Sequence, residues 1–270
     1  MVSGYDWFQP SDLPRFFLAL QKTTQPAILV GGQSLTFWVD YFKTPVPKSD
    51  TPYLTQDADV LATKHDARIV AAELQGTLSI ADMDDHTPNT AIVTYKTPDG
   101  RTLFVDFMGT LIGLKNEEVR KLAVELEHPT YGFIRILHPT LVLKSRIVNL
   151  HRLTSKRDTN GIEQARLAVL VAKAFFENYV SSGLAGGNPD RYLLNRVTWL
   201  GKLALSDEGI FVFTHWGIDV MKAAPLEFIT NKKFHAEHWP RLDARVRLKR
   251  DRKKDQYALK KLDAVAVQVK

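Results

Sequence analysis

The chain contains no cysteine in 270 residues, which excludes a disulfide scaffold and any thiolate-ligated metal and is compatible with a reducing, cytoplasmic compartment. It also lacks a long apolar run. No stretch approaches the ~18 to 20 residues that cross a bilayer, and the opening MVSGYDWFQP has no basic-then-apolar leader pattern, so neither a membrane nor export is expected. The glycines of SSGLAGGNP are not followed by Lys-Ser or Lys-Thr, so they form no P-loop. Eight histidines are scattered; His235 and His238 share i,i+3 spacing but have no evident third ligand, so zinc is not expected. There is no internal repeat. What is present is 44% hydrophobic residues in a chain long enough to bury a sizeable core, with a mild net charge of +6.

The pattern changes near residue 138. Before it, short β-branched and aromatic runs alternate with helical stretches: AILV, a helix from about Ser34 to Phe42, ADVLA, a helix from about His65 to Gln75, TLSI, TAIVTYKT and TLFVDFM. TPDGR at 97–101 predicts a hairpin that makes TAIVTYKT and TLFVDFM antiparallel neighbours. PSDLP predicts an N-terminal helix packed through Trp7, Phe8, Phe16 and Phe17. After 138 the pattern is helical: Pro139 to about Leu153, Gly161 to Val180, and Pro189 to Leu205, with a loop at 181–191. The expected fold is α/β (α+β), a mixed sheet with flanking helices in 1–138, followed by an all-helical part in 139–270. RLDARVRLKRDRKKDQYALKK at 241–261 is densely basic, either a solvated helix or tail or a nucleic-acid contact.

Two features carry chemistry. In PAILVGGQSLTFWVDYF, Gly31 and Gly32 interrupt a strand-to-helix passage, which suits either close packing or a phosphate cradle. In YLTQDADVLAT, Asp57 and Asp59 lie two apart on a strand, so both side chains take the same face, and two adjacent carboxylates are a common holder of Mg²⁺. Asp82 and Asp84 repeat that spacing among turn-forming residues and read as a solvated loop. Asp106 sits between large apolar residues in TLFVDFM, where a carboxylate needs a partner, a hydrogen bond or a metal. Three carboxylates and a phosphate-cradling turn are the parts that two-metal phosphoryl or nucleotidyl transfer requires.

The order Gly-Gly-Gln-Ser, helix, Asp-x-Asp on a strand, and a later strand Asp resembles the nucleotidyltransferase superfamily. Within it the chain looks most like the bacterial AbiEii-type proteins of abortive infection and toxin–antitoxin systems. HPTLVLKSRIVNLHRLTSKRDT at 138–159 resembles their next motif, through Lys144, Arg152, Arg157 and Asp158. The resemblance covers about residues 26–160. It departs in a Pro-rich insertion at 43–52 and in having Gly161 near a position where relatives often carry another acid.

The resemblance implies an enzyme, with Gly31, Gly32, Gln33 and Ser34 at the NTP phosphates and Asp57, Asp59 and Asp106 as metal ligands for two Mg²⁺ ions. Asp106 would also help activate the acceptor hydroxyl, and Lys144 would reach the triphosphate unless it simply extends to solvent. RNA, such as a tRNA end, is the implied acceptor. A protein hydroxyl or a small molecule remains open on the same fold, an antitoxin is a possible partner, and a non-catalytic binding module is the alternative.

Overall fold

The computed structural model describes residues 6, 8–24, 26–46, 57–82, 89–182 and 189–268. Trp7, Asp84, most of the 43–52 insertion and residues 183–188 of the expected loop lie outside the described residues. The chain falls into two compact units, Met1–Ser145 and Arg146–Lys270. As the sequence pattern predicts, a mixed sheet with flanking helices precedes a helical region.

The described elements of the first unit in chain order are α1 (Leu13–Leu20), β1 (Ile28–Leu29), α2 (Gly31–Tyr41), β2 (Asp57–Leu61), α3 (Lys64–Leu74), β3 (Thr77–Ile80), β4 (Asn89–Lys96), β5 (Thr102–Met108), α4 (Asn116–Leu122), β6 (Val124–His128) and β7 (Gly132–Ile136). Among the described residues the strands form one seven-stranded sheet of order β3-β4-β5-β2-β1-β7-β6. The predicted hairpin forms: Gly100 at φ +87° closes the turn, and β4 and β5 pair antiparallel from Lys96↔Thr102 onward. A second hairpin, β6–β7, was not anticipated by the sequence reading. Its Val-Glu-Leu-Glu-His run nevertheless alternates apolar and polar residues as a half-buried strand does.

The centre of the sheet fixes the site. β1 runs antiparallel to β2 with Leu29 opposite Val60, and β2 runs parallel to β5 with Asp59 opposite Asp106. Ala58 and Val60 on β2, Leu103, Val105 and Phe107 on β5, and Val93 and Tyr95 on β4 are buried on one face. Arg15 of α1 lies over the Tyr95 ring, which identifies that face as the one α1 covers. Strict alternation therefore sends Asp57, Asp59 and Asp106 to the opposite face.

Capping locks the ends of these strands. Thr63 and Asp66 form a capping box at the start of α3, and fully buried Asp66 also accepts from the backbone and hydroxyl of Thr24. α2 is held by the Trp38 indole, which donates to the Leu137 carbonyl at 2.8 Å, while Leu137 N–H donates to Leu29. α2 begins at Gly31, three residues earlier than the periodicity suggested, because the diglycine is itself the first turn.

The second unit takes in the end of α5 (Pro139–Arg152), then α6 (Thr159–Ser181), α7 (Pro189–Leu205), α8 (Asp207–Trp216) and α9 (Trp239–Gln268). Its core is mainly aliphatic, with Leu167, Val171, Leu193, Val197, Leu200, Ile210, Val212 and Val246 buried around the aromatic Phe176. α7 and α9 approach closely at Gly201, where a Cβ would meet Leu242 at 2.7 Å. No helix among the described residues is long and apolar enough to cross a membrane.

Candidate metal and nucleotide site

Register produces the cluster. The parallel β2–β5 pairing sets Asp59 beside Asp106, and Asp57 is two residues up the same face of β2. One ligand oxygen from each of the three carboxylates lies within 4.8 Å of the other two. At 4.8 Å, with an effective dielectric of about 20, each ionised pair would repel by roughly 3.5 kcal/mol before solvent screening, and by more at any shorter distance. Burial, joined by the charge of Asp57, pushes the Asp106 carboxyl above its ordinary range, and a hydrogen bond from Asn89 only partly offsets this. Asn89, which opens β4, was not singled out in the sequence; its place beside Asp106 depends on the irregular β4–β5 register between Asn89 and Ala91.

Such a set fits a hard divalent cation. All three donors are carboxylate oxygens, the preferred ligands of Mg²⁺, and a cation would offset both the burial of the Asp106 charge and its repulsion from Asp57. Among the described residues no sulfur or imidazole ligand joins the cluster, a donor set that suits a hard cation better than a soft one.

Gly31 is pressed against this cluster. Val30 N–H donates to the Asp59 carbonyl at 2.8 Å, so the antiparallel β1–β2 pair delivers the diglycine directly to Asp59. Gly31 has φ +64°, and a Cβ there would fall 1.7 Å from Asp59 Oδ2 and 2.7 Å from Asp59 Cβ. Both the conformation and the space demand glycine. The first bond of the α2 ladder runs from Ser34 N–H to Val30 O, so the N–H groups of Gly31, Gly32 and Gln33 precede the ladder at the positive end of the helix dipole.

The remaining expected residues are placed differently. Gln33 and Ser34 are buried, and the Ser34 hydroxyl donates to the Gly31 carbonyl at 2.8 Å, so the Ser34 side chain braces the turn. Lys144 faces Glu118 of α4, with Nζ 3.6 Å from Oε2. The other residues of the 138–159 motif do structural work. Arg157 donates to the Leu150 and His151 carbonyls at the end of α5, Arg152 pairs with Glu208, and Asp158 caps α6 by accepting from Gly161 N–H. Gly161 is required there by space, since a Cβ would lie 1.9 Å from the Lys156 carbonyl oxygen. His235 is engaged with the Ile229 carbonyl at 2.8 Å.

No protein-family model matches the sequence, and no curated protein does. Among solved structures, the chain has a likeness to the crystal structure of JHP933 from Helicobacter pylori, with a TM-score of 0.37 and 15% identity over 94% of this chain and 96% of that one. That likeness is too weak to inform fold or chemistry.

Proposed function

We propose that the chain is a Mg²⁺-dependent nucleotidyltransferase that moves an NMP unit from an NTP to an acceptor hydroxyl, with RNA, such as a tRNA end, as the acceptor. The observation that carries this reading is the convergence of Asp57, Asp59 and Asp106 on one sheet face with Gly31 packed against Asp59. Asp57, Asp59 and Asp106 would hold the metal, which when bound supplies charge neutralisation for the triphosphate and acidifies the attacking hydroxyl.

The chain's own groups do the rest. Gly31 and Gly32, lacking side chains, admit the β- and γ-phosphates to the N–H groups that open α2. The Asp106 carboxylate would receive the proton of the acceptor hydroxyl as its oxygen bonds to Pα and the Pα–O bond to pyrophosphate breaks. Lys144 must leave Glu118 to reach a phosphate, which costs little because a partly exposed pair of this length is worth at most about 1 kcal/mol. NTP chemistry suits a cytoplasmic location, and the partner that the toxin resemblance implies is an antitoxin protein.

The test is transfer of α-³²P label from each of the four NTPs to total bacterial RNA with Mg²⁺. Wild type should label RNA and Asp57→Ala/Asp59→Ala should not. Label on protein alone would reassign the acceptor, and no label from any NTP would favour a binding module instead.

A further inference from the structure

The second unit carries a basic pocket that the chemistry above does not use. It lies between α8 and α9, has a volume of about 510 Å³, and is lined in part by His151, Asp207, Phe211, Lys249, Arg252 and Lys253. Three cations face one carboxylate. His151 Nδ1 is shielded from solvent and makes no hydrogen bond among the described residues, so the wall also holds an unsatisfied polar atom.

The basic run of α9 divides by role. Arg250 is buried, donates to Asp219 at 2.5 and 3.1 Å and lies over the Phe213 ring, which makes it a structural anchor. Arg247 pairs with Asp243 one turn away. Arg241, Arg245, Lys249 and Arg252 are exposed and follow i, i+4, i+8, i+11 spacing, which confines them to a sector of about 80° over about 16 Å of helix. Asp243, Asp251 and Asp255 fall outside that sector by the same geometry. Lys249 also donates to the Leu205 carbonyl at 2.5 Å, which holds its ammonium at the pocket.

We infer that this pocket and the stripe leading to it are a docking site for single-stranded nucleic acid, with Lys249, Arg252 and Lys253 taking backbone phosphates of the RNA acceptor. The inference rests on the RNA reading above. A line of cations along a helix matches an extended polyanion better than a compact one, and a pocket with an aromatic wall and cations at its mouth is the combination that single strands use.

The experiment is fluorescence anisotropy of a labelled 12-nucleotide single-stranded RNA, with the full chain in the Asp57→Asn/Asp59→Asn background and no NTP, across 50 to 200 mM salt. Arg252→Ala/Lys253→Ala should lower the magnitude of the log K against log salt slope by about 1.4, or about 25-fold in affinity at 0.1 M, since each phosphate contact on a single strand contributes about 0.7. Lys22→Ala/Lys121→Ala, which removes two exposed charges from the first unit, should leave the slope nearly intact. Arg245→Ala/Arg252→Ala provides a second variant should the first fail to fold.

Equal losses in stripe and control variants, or an unchanged slope in the stripe variants, would overturn the inference. RNA binding that depends on the stripe without label transfer would sink the enzyme reading and spare this one. Label transfer to another acceptor without RNA binding would do the reverse.

Discussion

Gly31→Ala isolates the contact on which the site depends. Forcing an L-residue to φ +64° costs about 1–2 kcal/mol. Rotating the Asp59 side chain would clear its carboxylate from the new methyl group, but Asp59 Cβ at 2.7 Å cannot rotate away. The β1–β2 edge must then part at the 2.8 Å bond from Val30 N–H to Asp59 O. That adds about 0.5–1.5 kcal/mol for the bond and about 1–3 for overpacking, so with the backbone term the total is roughly 2.5–6.5 kcal/mol.

Gly100→Ala is the matched control in the same unit: φ is +87° and a Cβ would meet nothing within 4 Å, so only the backbone term of about 1–2 kcal/mol applies. At about 3 °C per kcal/mol for a unit of this size, the first variant should melt roughly 8–20 °C lower and the second about 3–6 °C lower. Denaturant unfolding and Mn²⁺ titration of both variants give the readout. Equal destabilisation of the two, or unchanged Mn²⁺ affinity in Gly31→Ala, would refute the reasoning.

Other perturbations follow from the same physics. Asp106→Asn removes a half-buried charge that repels Asp57, so at neutral pH without metal it should raise the melting temperature, while abolishing the stabilisation by Mg²⁺ with NTP that the proposed function predicts for wild type. Arg250→Met should cost about 3–5 kcal/mol in urea unfolding at pH 7, because it strands Asp219 in a largely buried setting. The pH dependence of that loss has a definite sign. Burial alone would raise the Asp219 carboxyl, but the hydrogen bonds and charge of Arg250 hold it below its ordinary range. The pair's contribution is therefore full above about pH 4 and lost as pH falls further, so the gap between wild type and variant should narrow in acid.

Local signals carried much of the fold. Period-two runs and the TPDGR turn located β2 to β5, and Pro139 and Pro189 marked helix starts. β6–β7 went unread, although Val-Glu-Leu-Glu-His and the glycine at 132 were available as signals. The candidate site was legible as a set of residue types and illegible as a place. That Asp57 and Asp59 share a face follows from the strand period alone. That Asp59 lies opposite Asp106 depends on a parallel pairing across 47 residues, and no local propensity encodes such a register. Likewise, the charge run at 241–261 gave no way to tell Arg250, a buried anchor, from Arg252 on the surface; only the packing of α9 separates them.

The most direct measurement is the number of Mn²⁺ ions bound per chain, counted by electron paramagnetic resonance with a non-hydrolysable NTP analogue present, for wild type and Asp57→Asn/Asp59→Asn. Two ions per wild-type chain and none per variant chain is the outcome predicted for a two-metal nucleotidyl-transfer centre. Equal binding in both, or no binding in wild type, would contradict the assignment of the three aspartates as that centre.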